Sequence, residues 1–130
     1  MPIDDFAAKL KGLVDEAQAS PLTQAQSDLK SLADSIQAGV FEGTQINVAL
    51  EPGFRTNYGL QIKMSAVSSK RSDTLFRVYV PETGYPMRLD FYGEEMEVAG
   101  SFEELKDRVF TFMQDSQTRT TIQTLRRFAA

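Results

Sequence analysis

Residues 58–91 carry the most informative pattern of the chain, and their sequence is YGLQIKMSAVSSKRSDTLFRVYVPETGYPMRLDF. Three runs within it place an apolar side chain at every second position, one around Ile62, one around Val78 and one around Leu89. Strict alternation of this kind is typical of half-buried β-strands. Polar residues fill positions 68–73 between the first two runs, and proline and glycine separate the second run from the third. Short turns between alternating runs favour antiparallel hairpins, because a parallel crossover needs about a dozen residues or more.

The alternation continues on both sides of this stretch. Residues 44–50 predict a preceding strand, which Glu51-Pro52-Gly53 would end in a turn. Met96 and Val98 predict a short fifth strand with its acidic neighbours on the solvent side. We therefore expect an antiparallel meander of four to five strands between residues 44 and 98.

Helical periodicity marks both ends of the chain. Residues 4–19, and a stretch that begins after Ser20 or Thr23, each carry one apolar stripe, which predicts an N-terminal helical hairpin packed on the sheet. The first stripe consists of Phe6, Leu10, Leu13, Val14 and Ala17. Ser101 and Glu104 form a capping box, which predicts the start of a third helix. Its buried face is expected to carry Phe102, Leu105, Val109, Phe112 and Met113. A short last helix capped by Ser116 should follow.

These elements predict a chain of the α+β class. The expected architecture is an N-terminal helical hairpin, an antiparallel meander and one or two C-terminal helices, with the helices mainly on one face of the sheet. Residues 1–130 contain no repeat and no long linker, so we expect a single domain.

The composition excludes most common catalytic chemistry. The 130 residues include no cysteine and no histidine, which removes thiolate nucleophiles, the usual general base and the commonest metal ligands. No glycine-rich phosphate motif is present. We therefore expect no cofactor, no metal and no enzymatic activity. Asp4 and Asp5 replace the positive charge of an export signal, and no apolar run is long enough for a membrane span, so a cytoplasmic protein is expected.

Basic residues are concentrated near the C-terminus. The net charge is -4, yet Arg119, Arg126 and Arg127 share the last fifteen residues with no acidic side chain. Together with Lys70 and Arg71 they could form an anion patch. The alternative explanation is that these arginines stabilise the C-terminal end of a helix, where positive charge is favourable. We prefer this explanation, because the acidic charge of the whole chain argues against a nucleic-acid partner.

Acidic residues are densest at Asp90, Glu94, Glu95 and Glu97. Clustered carboxylates could bind calcium or magnesium, but their spacing fits no metal-binding loop. We interpret them as the solvated, charged edge of a sheet.

The outward positions of the strands give the candidate functional site. If the alternating apolar residues face the core, then Arg77, Tyr79, Arg88 and Tyr92 lie on the opposite face. Tyrosine and arginine are enriched in binding hot spots. This pattern predicts a non-catalytic protein-binding domain, such as an adaptor, a chaperone or an inhibitor, that acts through a sheet face or a helix surface. The chain itself is one candidate partner, in a homodimer. The alternative is a small-ligand-binding or enzymatic domain that uses arginine, tyrosine and carboxylates in a pocket between sheet and helices.

In size and charge the chain is similar to the dimeric chaperones of secreted bacterial effectors, which are small acidic α+β proteins with a C-terminal amphipathic helix. The resemblance implies a dimer and a protein partner. Those chaperones place a helix within the run of strands, whereas residues 44–98 contain no helical pattern.

Overall fold

The computed structural model describes residues 3–18, 20–57, 59–69, 71–91 and 96–129. Within these residues, helices occupy both ends of the chain and strands occupy the middle. The elements follow in the order α1 (Ile3–Gln18), α2 (Pro21–Val40), β1 (Asn47–Thr56), β2 (Gly59–Val67), β3 (Ser72–Val80), β4 (Met87–Asp90), β5 (Glu97–Ala99), α3 (Phe102–Gln114) and α4 (Ser116–Ala129).

The five strands form one antiparallel sheet in the order β1-β2-β3-β4-β5, so each strand pairs with its neighbours in the chain. The prediction of an α+β chain with a central meander is therefore confirmed. None of the described residues from β1 to β5 is helical, which separates this arrangement from effector chaperones with a helix among their strands.

One face of the sheet shares a single apolar core with α2, α3 and α4. The register places Ile62 of β2 opposite Val78 of β3, and Val78 opposite Leu89 of β4, and all three side chains are buried. The helices contribute their own buried residues to the same cluster, among them Leu29, Ala33, Leu105, Val109 and Leu125. The helices thus lie mainly on one face, as predicted, because that face carries the alternating apolar positions.

Helix α2 is fixed at its start by a cap and by the loop between β3 and β4. Ser20 is the N-cap and its hydroxyl oxygen accepts from the Thr23 backbone N–H, while Pro21 occupies the first helical position. The Tyr85 hydroxyl donates to the Asp28 carboxylate across 2.8 Å. This bond ties α2 to the sheet, and partial burial with this carboxylate contact raises the pKa of Tyr85 well above its ordinary value.

Strand β1 extends beyond its predicted range. It spans Asn47–Thr56 instead of residues 44–50, and it passes through the predicted turn at Glu51-Pro52-Gly53 with a bulge between Pro52 and Arg55. Proline is tolerated because β1 is an edge strand. Gly53 is required there because a Cβ atom would approach the Gln61 carbonyl oxygen to 2.7 Å.

The outer edge of β1 is closed by a side chain from α2. Gln37 donates from Nε2 to the Ile46 carbonyl oxygen, and its Oε1 accepts from the Val48 backbone N–H, both across 2.6 Å. The amide therefore pairs with β1 as a short strand would. The backbone groups of every second residue in a strand point to the same side. Because the Val48 N–H points away from β2, the backbone of Pro52 also faces the open edge of β1. Proline has no N–H to offer a further strand at that position.

Strand β5 has the opposite phase to the prediction. Val98 pairs with Arg88 and is 45% exposed, whereas Ala99 pairs with Met87 and is fully buried. Glu97 lies opposite the buried Leu89. A three-residue strand gives too few positions for alternation to fix its phase, and the buried end is set by the core.

Helix α1 does not bury the predicted stripe at its described positions. Phe6 is 60% exposed and Leu10 is 48% exposed, so the expectation that both helices of the hairpin pack on the sheet is wrong for this part of α1. The side chains of Leu13, Val14 and Ala17 lie outside the described residues. The stripe predicts a helix correctly but cannot specify what the helix packs against.

The caps of the C-terminal helices are partly as predicted. The Ser101 hydroxyl oxygen accepts from the Glu104 N–H, and the Glu104 carboxylate accepts from the Gly100 N–H, which confirms the capping box in a slightly shifted form. For α4 the predicted cap at Ser116 is wrong. Asp115 performs this role, because its Oδ2 accepts from the N–H groups of Gln117 and Thr118.

Candidate functional site

The sheet face opposite the core carries the candidate residues that the structure describes. Arg77 and Tyr79 alternate with buried residues of β3, and Arg88 does so in β4. Tyr79 is paired directly with Arg88 in the register. The structure thus brings three of the four candidates together, and Tyr92 lies outside the described residues.

Strand β2 adds two polar side chains that sequence reasoning missed. Gln61 is the partner of Tyr79, and Lys63 is the partner of Arg77. Gln61 Nε2 donates to the Tyr79 hydroxyl across 3.0 Å, which holds the tyrosine ring in place on the sheet. Their outward positions follow from the alternation of β2, but only the register between β2 and β3 shows which candidate each one adjoins. We call Gln61, Lys63, Ser65, Arg77, Tyr79 and Arg88 together the helix-free face.

The helix-free face is more basic than the rest of the chain. Its three positive side chains, Lys63, Arg77 and Arg88, adjoin two acidic ones, since Glu51 is paired with Lys63 and Asp90 with Arg77. The whole chain has a net charge of -4. Positive charge is therefore concentrated on this face relative to an acidic body.

Two polar atoms on this face are buried without a hydrogen-bond partner among the described residues. They are Ser65 Oγ and Arg77 Nε. Ser65 is 1% exposed and stands between Ala49 of β1 and Thr74 of β3. A desolvated hydroxyl without a partner costs about 1–3 kcal/mol, so this residue is not explained by stability.

Both edges of the sheet are poor sites for adding another strand. On one side β5 has only three residues. On the other side Gln37 occupies one outward backbone group of β1 and one of the residue before it, and Pro52 lacks an N–H group. Short strands, proline and covering side chains are known ways of protecting a sheet edge. A partner that binds the sheet must therefore approach its face.

A cleft of about 560 Å³ lies between the sheet and the C-terminal helices. Its apolar floor includes Leu75, Phe112 and Ile122, and the Phe91 and Phe112 rings are stacked with centroids 4.5 Å apart. Glu97 and Asp115 line it as well, but no arginine or tyrosine does so among the residues described. Among its described lining residues, this cleft therefore lacks the combination of arginine, tyrosine and carboxylate groups on which the predicted small-ligand or enzymatic alternative depends.

Among the residues that the structure describes, the acidic candidates near β5 and the basic candidates of the loop between β2 and β3 do not form a site. Glu94, Glu95 and Lys70 lie outside the described residues, and among the others no group of three acidic side chains could hold a metal ion. Arg71 pairs with Asp73 across 2.5 Å. Among the residues that the structure describes, no helix has the length and apolar character that crossing a membrane requires.

Comparison of the chain with protein-family models, with curated proteins and with solved structures gave no match. The function is therefore argued from the geometry and chemistry of the surface alone.

Proposed function

We propose that this chain is a non-catalytic protein-binding domain that acts through its helix-free face. The observation that supports this most is the placement of Arg77, Tyr79 and Arg88 side by side on the sheet face opposite the one that packs against α2, α3 and α4. Arginine and tyrosine are the residues that most often dominate binding energy at interfaces. The protein would serve as an adaptor, a chaperone or an inhibitor of its partner.

The rigidity of the face supports a binding role. Tyr79 is fixed by Gln61, and both residues belong to strands paired on both sides. A surface held by a central sheet loses little conformational entropy on binding. The blunted edges further favour recognition by the face, because strand addition has little free backbone to use.

We propose a second copy of this chain, in a homodimer, as the first candidate partner of the helix-free face. A different protein is the second candidate. A two-fold dimer through the face would place Tyr79 near the axis and bring each arginine against polar groups of the other copy. The composition suits the cytoplasm, since a chain without cysteine gains nothing from an oxidising compartment.

Sedimentation velocity over a range of concentrations tests the homodimer. The variant Tyr79→Ala/Arg88→Ala should weaken self-association by at least about 2 kcal/mol, which is the usual threshold for a hot spot and about a thirtyfold change in Kd. The matched control is Arg108→Ala/Phe110→Ala, which removes the same kinds of side chain from exposed positions on α3. The control should associate like the wild type. A wild type that remains monomeric at several hundred micromolar excludes the dimer.

A further inference from the structure

The outward surface of α4 carries a stripe of positively charged side chains. Four exposed residues lie on one side of the helix, because the last three follow the first by four, seven and eight positions. They are Arg119, Gln123, Arg126 and Arg127. Thr118, Ile122 and Leu125 are buried on another side. We call the four exposed residues the arginine face of α4.

The helix dipole explains only part of this stripe. Arg126 and Arg127 lie in the last turn, where positive charge is favourable. Arg119 lies in the first turn, where the same dipole makes positive charge unfavourable. None of the three arginines forms an ion pair with any residue the structure describes. Helix stabilisation therefore does not account for Arg119.

The arginine face offers hydrogen-bond donors and positive charge. The threonine hydroxyls of α4 are engaged locally, since Thr120, Thr121 and Thr124 each donate to a carbonyl oxygen one turn earlier. The guanidinium groups and the Gln123 amide remain directed outward, and residues 116–130 include no acidic side chain. A carboxylate suits such a surface, because arginine binds it with two parallel hydrogen bonds.

The charge of the rest of the chain limits the size of the anion. Without these three arginines, the chain has 11 basic residues against 18 acidic ones, a net charge of -7. A long polyanion such as a nucleic acid would extend over this acidic body and be repelled. Arg126 follows Arg119 by seven positions, which corresponds to a rise of about 10 Å along the helix. The fitting ligand is therefore short and carries its charges within two helical turns.

We propose that the arginine face of α4 docks a short acidic segment of another protein, which presents two or more carboxylates within about 10 Å. This second surface is separate from the helix-free face and does not depend on it. The two surfaces differ in chemistry, since the four residues that define the arginine face include no aromatic side chain and bind by charge and hydrogen bonds.

Fluorescence anisotropy with the full chain tests this proposal at low salt. The probes are a labelled ten-residue oligoglutamate and a labelled oligothymidylate with the same number of charges. The wild type should bind oligoglutamate at least tenfold more tightly than oligothymidylate. Arg119→Gln/Arg126→Gln should weaken oligoglutamate binding at least tenfold, whereas the charge-matched control Arg55→Gln/Arg108→Gln should change it less than twofold. Circular dichroism melting verifies that each variant is folded.

Three results would overturn the proposal. Oligothymidylate binding that is equal or tighter would make the face a nucleic-acid site. Equal losses in the two double variants would mean that net charge alone governs binding. No oligoglutamate binding at a hundred micromolar would remove the site. The variant Tyr79→Ala/Arg88→Ala should bind oligoglutamate like the wild type, so failure of one surface does not imply failure of the other.

Discussion

Replacement of Gln37 by alanine should reveal how much the sheet depends on one side chain from α2. The Gln37 amide makes two hydrogen bonds of 2.6 Å with the backbone of β1 and its preceding residue. A neutral hydrogen bond contributes about 1 kcal/mol net, and the Val48 N–H would lose its protein partner. Alanine regains a few tenths of a kcal/mol through its higher helix propensity. The expected loss in unfolding free energy is therefore about 1.5–2 kcal/mol.

This loss converts into a shift in melting temperature. Unfolding entropy of about 2.1 cal/mol/K per residue amounts to about 0.27 kcal/mol/K for a chain of this length, so Tm should fall by about 5–7 °C. The control is Gln26→Ala, the same substitution at an exposed position of the same helix. Circular dichroism melting gives both values. If the two variants melt within about 1 °C of each other, the Gln37 amide does not stabilise β1 and the argument about a protected edge fails.

Two further substitutions test individual polar groups. Ser65→Ala should leave Tm unchanged or raise it, because it removes a buried hydroxyl that has no partner among the described residues. A loss in unfolding free energy above about 1 kcal/mol would show that the hydroxyl is hydrogen-bonded. Tyr85→Phe removes the bond to Asp28 and should change how stability depends on pH. Because folding raises the pKa of Tyr85, its contribution is present below the unfolded value of about 10 and is lost as pH rises above it. Urea unfolding at about pH 8 and pH 11 should therefore show a steeper loss in the wild type than in Tyr85→Phe, and equal losses would contradict the raised pKa.

The elements that sequence predicted well are those with long periodic patterns. Strand β2 carries four alternating apolar positions and β3 carries three, and both runs form strands as predicted. The start of α3 was predicted because the capping box depends on residues next to each other in the chain. Local chemistry of this kind requires no knowledge of the rest of the fold.

The errors arise where tertiary contacts override the local pattern. Pro52 and Gly53 have turn chemistry, yet an edge strand next to Gln61 accepts both residues within a bulge. The phase of β5 depends on which residue of a three-residue strand reaches the core. At the candidate site, Arg77, Tyr79 and Arg88 were predicted from alternation, whereas Gln61 and Lys63 required the register between β2 and β3. The Ser65 hydroxyl, which has no hydrogen-bond partner among the described residues, has no signature in the sequence.

Quantitative capture with matched variants tests the proposed binding face most directly. Wild type, Tyr79→Ala/Arg88→Ala and Arg108→Ala/Phe110→Ala are immobilised at equal density, exposed to the same native extract and compared by mass spectrometry, after melting curves have verified that all three are folded. The account predicts at least one protein, or the chain itself, that the wild type and the α3 variant retain equally and that the helix-free face variant loses by tenfold or more. Equal retention of every captured protein by all three would contradict the assignment of the helix-free face as the binding surface.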